Sequence, residues 1–144
     1  MKDDYLITIE GSQERDGETD RLSLSTFGYF EHHCGKYYIS YKEDEASGFG
    51  GDMTTVKIED GNRVTMIRLG ESNSRLVMEK GHRHLCHYST GQGDLVVGIF
   101  AKEILNNLSE SGGELQLSYS LDVNANSVSE NKLNITVKEN SQNA

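Results

Sequence analysis

The sequence predicts an all-β protein: an antiparallel, closed barrel of about 8–10 strands, with at most one short helix. Three observations lead there. Apolar residues recur with period two along most of the chain, the signature of strands with one buried face. Turn-forming Gly, Asn, Asp and Ser interrupt that alternation at regular intervals. The turns also have to be made without proline, which the sequence lacks entirely.

The strands are read in chain order. Tyr5, Ile7 and Ile9 alternate with Leu6, Thr8 and Glu10 in the first, and Asp16-Gly17 closes it with a polar loop. Leu22, Leu24 and Thr26 alternate with Ser23, Ser25 and Phe27 in the second, which runs on through Tyr29 and Phe30. Tyr37, Ile39 and Tyr41 share one face of the third. Residues 46–52 are Gly-rich and read as a flexible loop. Thr54, Val56 and Ile58 then precede Asp60-Gly61, the dipeptide that supplies positive φ to a tight hairpin, and residues 64–69 follow. Residues 74–79 and 82–90 form a further pair about Lys80-Gly81, and Gly91-Gln92-Gly93 turns the chain again. Residues 94–101 are apolar and β-prone. Residues 102–110 are ambiguous, because Ile104, Leu105 and Leu108 fit a short helix as well as a continuing strand. Leu115, Leu117, Tyr119, Leu121 and Val123 share a face of the next strand. Residues 124–131 read as a turn or short loop, Leu133, Ile135 and Val137 form the last strand, and residues 140–144 a frayed tail. About ten strands on short connections must either pack in two layers or close on themselves, and closure removes exposed edges.

Length and composition narrow the class. The 144 residues suit one domain, large enough to fold without a metal or a disulfide framework. Hydrophobic residues make up 35% of the chain, which fits strands with one wet face. Net charge is -9, from 23 acidic and 14 basic residues, a field that repels phosphate backbones and anionic lipid surfaces. Nucleic acid and membrane are therefore not expected partners. No apolar run reaches the length of a signal peptide or a membrane span. Cys34 and Cys86, the two cysteines, read as reduced, partly buried thiols, with a pair across adjoining strands as the alternative. A cytoplasmic location is expected.

Several ordered segments carry a family resemblance: Phe27-Gly28-Tyr29-Phe30, Tyr37-Tyr38-Ile39-Ser40-Tyr41, Ile67-Arg68-Leu69-Gly70, Tyr88 with Gly93-Asp94-Leu95, Gly113-Glu114-Leu115-Gln116-Leu117-Ser118-Tyr119, and Leu133-Asn134-Ile135-Thr136-Val137. Together they resemble the YwiB-like family of small bacterial proteins of unknown function, over nearly the whole chain. The resemblance implies a calycin-type, lipocalin-like barrel in a bacterial, Firmicutes-like cytosol. It implies no established activity, cofactor or catalytic residue. The Gly-X-Trp signature of lipocalins has no counterpart, since the chain contains no Trp.

Four residues are candidates for a ligand site. If Arg68 shares the face of Val64 and Met66, its guanidinium enters the barrel and needs a partner such as a ligand carboxylate or phosphate; the alternative is that its head snorkels to the rim or pairs with Glu43 or Glu79. Tyr41, Tyr88 and Tyr119, with Tyr37 beside them, offer apolar rings with polar tips, suited to a lined cavity or to a packed core. The expected partner is a small apolar or anionic ligand, with a homodimer as a further possibility. The run His82-Arg83-His84-Leu85-Cys86-His87 tempts a metal assignment. However, His82, His84 and Cys86 span about 13 Å along a strand, too far for all three to meet one ion. No metal and no cofactor is expected. Glu43-Asp44-Glu45 lacks calcium-loop spacing, and no phosphate-binding glycine loop or nucleophile elbow occurs. With His84, Cys86 and Glu43 as scattered candidates only, no enzyme is expected.

Overall fold

In the computed structural model the chain forms ten strands in one closed antiparallel barrel, each paired with its sequence neighbours and the last with the first. The structure describes residues 5–43, 51–59, 62–70, 73–90, 93–123 and 126–139. The strands are β1 (Tyr5–Arg15), β2 (Glu18–His33), β3 (Lys36–Lys42), β4 (Met53–Glu59), β5 (Arg63–Leu69), β6 (Ser74–Glu79), β7 (Arg83–Thr90), β8 (Gly93–Ser109), β9 (Gly112–Val123) and β10 (Asn126–Glu139). None of the described residues is helical, and no helix is long and apolar enough to cross a membrane.

The two-residue period decides the inside. Ile7 and Ile9 on β1 face Val137 and Ile135 on β10, and Ile135 faces Leu115 on β9. Ile39 pairs Val56, and Ile58 pairs Val64, so the same parity runs round the wall. All nine of these side chains are buried in one core with Phe30, Met78, Ile99 and Leu117. Two hairpins are as tight as their residues allow. Asp16-Gly17 and Cys34-Gly35 both carry positive φ at both positions, the backbone that a two-residue turn between twisted strands requires. The proposed Asp60-Gly61 turn, residues 44–50, Gly91-Gln92 and the tail lie outside the described residues.

Three expectations change. Residues 102–109 continue β8 as a strand, and Glu110 begins the turn. A bulge between Ala101 and Glu103 shifts the side-chain parity, so Ile104 and Leu108 point inward while Leu105 is exposed. That shift, with an outward Leu105, produced the helix-like spacing. Residues 126–131 belong to β10 and are not a loop. A bulge near Ser127 and Ser129, and two inward polar residues, Ser129 and Asn131, hid the alternation there. Cys34, expected partly buried, is exposed at its turn, and neither cysteine is bonded to the other.

The barrel has two unlike ends. One carries the β2–β3, β4–β5, β6–β7 and β8–β9 connections. It is filled by stacked rings: Tyr5 edge-on to Phe30 at 5.3 Å, Phe30 stacked on Tyr37 at 5.9 Å, and Tyr37 on His32 at 4.6 Å. The other end carries the β1–β2, β3–β4, β5–β6, β7–β8 and β9–β10 connections, and its interior is polar.

Candidate functional site

The polar end is assembled from inward positions of five consecutive strands and the chain leading into β4. Arg68 pairs in register with Thr54 on β4 and with Ser74 on β6, and Thr54 pairs with Tyr41 on β3. Ser74 in turn faces Tyr88 on β7. Strand parity that points Val64 and Met66 into the core therefore delivers Arg68 to the interior, where its side chain is 12% exposed.

The guanidinium is engaged on several sides. Its Nη2 donates to the Ser74 hydroxyl at 3.0 Å, its Cζ lies 5.5 Å from the centre of the Tyr88 ring, and Nε is 3.9 Å from a carboxylate oxygen of Asp52. The Asp52 side chain is 5% exposed, so this is a buried ion pair, the setting in which an unmatched charge costs most. Of the acids proposed for Arg68, Glu79 lies at the opposite end, where it accepts from His84 Nε2 at 2.9 Å. Glu43 stays close, but it accepts from the Thr54 hydroxyl and its charge helps push the Tyr41 hydroxyl well above the usual tyrosine range, with burial as the larger cause. A small cavity of about 40 Å3 lies among Glu43, Thr54, Met66, Arg68, Ser74 and Leu76.

Tyr88 connects this network to a larger space. Beyond its ring an open cavity of about 320 Å3 occupies the end of the barrel, lined by Gly11, Gln13, Asp20, Leu22, Tyr88, Tyr119, Asn131 and Leu133, with Ser12, Arg21 and Lys132 also on its border. Burial, with a smaller contribution from the neighbouring Tyr88, pushes the Tyr119 hydroxyl up to about 12. Asn131 donates to Ser129 at 3.0 Å and so presents a fixed amide to the space. The structure thus brings Tyr41, Arg68, Tyr88 and Tyr119 into one contiguous interior chain, while Tyr37 belongs to the stacked rings of the far end.

Sequence reading missed Asp52, Gly70, Gln13 and Asn131. Asp52 precedes β4 in a segment without periodicity. Its position depends on Gly70, since a Cβ there would run into the Asp52 carboxylate. Only a Gly following Arg68 hints at such a close approach.

The histidine run does not form a metal centre. Among the described residues no group of three His, Cys, Asp or Glu is placed to hold an ion. His82 and His87 are exposed, and His84 is committed to Glu79, whose carboxyl that hydrogen bond holds below its usual range. Cys86 is buried in the wall itself. β6 and β7 pair only at Ser74–Tyr88 and Arg75–His87, and past that point the Val77 N–H donates to Cys86 Sγ at 3.3 Å in place of a ladder bond. A second depression, of about 270 Å3, lies outside the wall around Leu105. Its charged residues, Glu10, Arg21, Glu103 and Lys132, are exposed, and Arg21 and Lys132 also border the cavity at the barrel end.

Comparison with known proteins adds kinship. A family profile described as a domain of unknown function, DUF1934, matches residues 7–135. A Bacillus subtilis (strain 168) protein described as the uncharacterized beta-barrel protein YwiB is 28% identical over 127 residues, which cover 85% of this chain and 86% of the relative. The crystal structure of the ywiB protein from Bacillus subtilis superposes with a TM-score of 0.80 at 23% identity, covering 94% of this chain and 90% of that one, and shows the same fold.

Proposed function

We propose that this chain, which belongs to the DUF1934 family of domains of unknown function, is a noncatalytic binding barrel for a small molecule with an apolar body. The observation that carries the reading is the hollow barrel end. One half of the interior is packed, whereas the other keeps an open space of about 320 Å3 between Tyr88, Tyr119, Leu22 and Leu133. Ten strands enclose more width than the eight that side chains just fill, and the aromatic rings close only one end. The volume is at the lower bound of small-ligand sites, and the lining combines Leu22, Leu133 and the rings of Tyr88 and Tyr119 with polar and charged groups. Gln13 and Asn131 would orient a polar end of the ligand.

Two features support a binding role over catalysis. The acid–base pair His84–Glu79 lies at the opposite end from the cavity, and the Cys86 sulfur faces the backbone of Val77. A calycin-like carrier in a reducing cytoplasm is consistent with two free thiols.

Native mass spectrometry of protein purified from its own cytosol tests the proposal. A retained small molecule, displaced by an uncharged naphthyl probe that binds saturably, is the expected result. Empty protein that gives no saturable binding with the probe would remove the reading.

A second reading, self-association, is favoured by Leu85 and Val96, which sit on the outer faces of the paired strands β7 and β8 with 66% and 49% exposure. Sedimentation of the wild type against Leu85→Glu tests it. A strict monomer in both would end it.

A further inference from the structure

Resting on the binding reading above, we infer that Asp52 is the specificity-determining residue of the barrel end: it holds Arg68 neutralised behind the Tyr88 ring, so that the cavity takes uncharged ligands and turns away carboxylates and other anions.

The argument starts from what an interior Arg usually offers. A buried guanidinium in a ligand barrel is a ready counter-ion for an acid headgroup. Here the surroundings already supply that anion. Asp52 stands 3.9 Å from Nε, Ser74 accepts from Nη2 at 3.0 Å, and the face of Tyr88 covers the group at 5.5 Å. Glu43 brings a second carboxylate to the same corner through Thr54. Among the described residues the corner therefore holds two carboxylates against one guanidinium. An incoming anion would have to displace Asp52 in a site largely screened from water, where like charges repel more strongly than at the surface. It would also have to pass Tyr88, because the cavity walls include Tyr88 and not Arg68.

Asp52 is held in place from two sides independent of Arg68. Its backbone carbonyl accepts from the Glu43 N–H at 2.8 Å, fixing it across from the end of β3. Its carboxylate occupies a notch that exists only because residue 70 has no Cβ, and the backbone there is tied back by the Gly70 N–H donating to Asn73 Oδ1 at 3.0 Å. A side chain so placed, in contact with the only interior guanidinium among the described residues, decides whether Arg68 is available to an anion, whereas the exposed Asp20, Arg21 and Lys132 of the cavity lining are common to wild type and variants alike.

The test uses the full chain and two fluorescent probes of the same naphthylamine skeleton, N-phenyl-1-naphthylamine, which is uncharged, and 8-anilinonaphthalene-1-sulfonate, which is an anion. Wild type is expected to bind the uncharged probe at least tenfold more tightly than the sulfonate. Asp52→Asn should keep affinity for the uncharged probe within about threefold and gain about tenfold for the sulfonate. The double variant Asp52→Asn/Arg68→Met should lose that gain, which separates an effect of the released guanidinium from nonspecific surface binding. Gly70→Ala, which crowds Asp52 without altering charge, should shift the preference the same way as Asp52→Asn. If the uncharged probe binds and Asp52→Asn leaves the sulfonate affinity where it was, the specificity role is wrong and the binding reading stands. If wild type binds neither probe, both fall together.

Discussion

Arg68 and Asp52 act as one unit, and their energetics should show it. Removing one member of a buried pair strands the other charge, whereas removing both leaves little to solvate. Arg68→Met is therefore expected to cost about 3 kcal/mol in urea unfolding, and Arg68→Met/Asp52→Asn markedly less than the sum of the single changes. Additive costs would show that the pair is not coupled. The tyrosines give a second residue-scale prediction. Tyr119 has its hydroxyl pushed up to about 12, and Tyr41 is raised as well, both chiefly by burial. A raised phenol pKa means that the folded state resists ionisation. Its contribution is fully present below the unfolded value of about 10 and is lost as pH rises from there through the folded value. Alkaline titration followed at the tyrosinate absorbance tests this for Tyr41 and Tyr119. Both should ionise only as the chain unfolds, and Tyr119→Phe should extend stability to higher pH.

At the scale of elements, the weakest seam of the wall is β6–β7. Every other neighbouring pair runs in register for five residues or more, but this one keeps two pairs, and Cys86 stands in for the missing ladder. Cys86→Ala removes the sulfur acceptor and leaves the buried Val77 N–H unsatisfied, at an expected cost of about 1–3 kcal/mol. Amide exchange of residues 76–79 should accelerate more than that of β9 or β10, because the seam opens before the rest of the barrel. Uniform acceleration across all strands would argue that the thiol is merely core packing. The bulge in β8 is the other decisive element, since it returns Ile104 and Leu108 to the interior after Ala101.

For the whole molecule, closure joins β1 to β10, so that each of the ten described strands has a partner on both sides, and the net charge of -9 sets how the outer surface meets other macromolecules. The protein is expected neither to shift double-stranded DNA in a gel nor to sediment with anionic vesicles at low salt. Retention by either would show a local basic surface strong enough to overcome the overall field. The same closure produces the two unlike ends, one stacked with Tyr5, Phe30, Tyr37 and His32, the other hollow beneath Tyr88 and Tyr119.

Alternation alone was enough to indicate strands, their inward faces and a closed or layered β architecture, because side chains on a strand must point to opposite sides and water excludes only one set. It grouped Tyr41 and Tyr119 with the apolar faces of their strands and gave Arg68 an interior place only on condition that it share the face of Val64 and Met66, while Tyr88 was a candidate by residue type alone. It failed where parity breaks or where polar residues face inward: at the bulge after Ala101, at Ser129 and Asn131, and before β4 at Asp52. Partners across the barrel come from strand register, and register is fixed by closure of the whole sheet, not by any local run of residues. That is why the counter-ion of Arg68, the notch at Gly70, the filling of only one end and the thiol in the β6–β7 seam were decided by the tertiary structure.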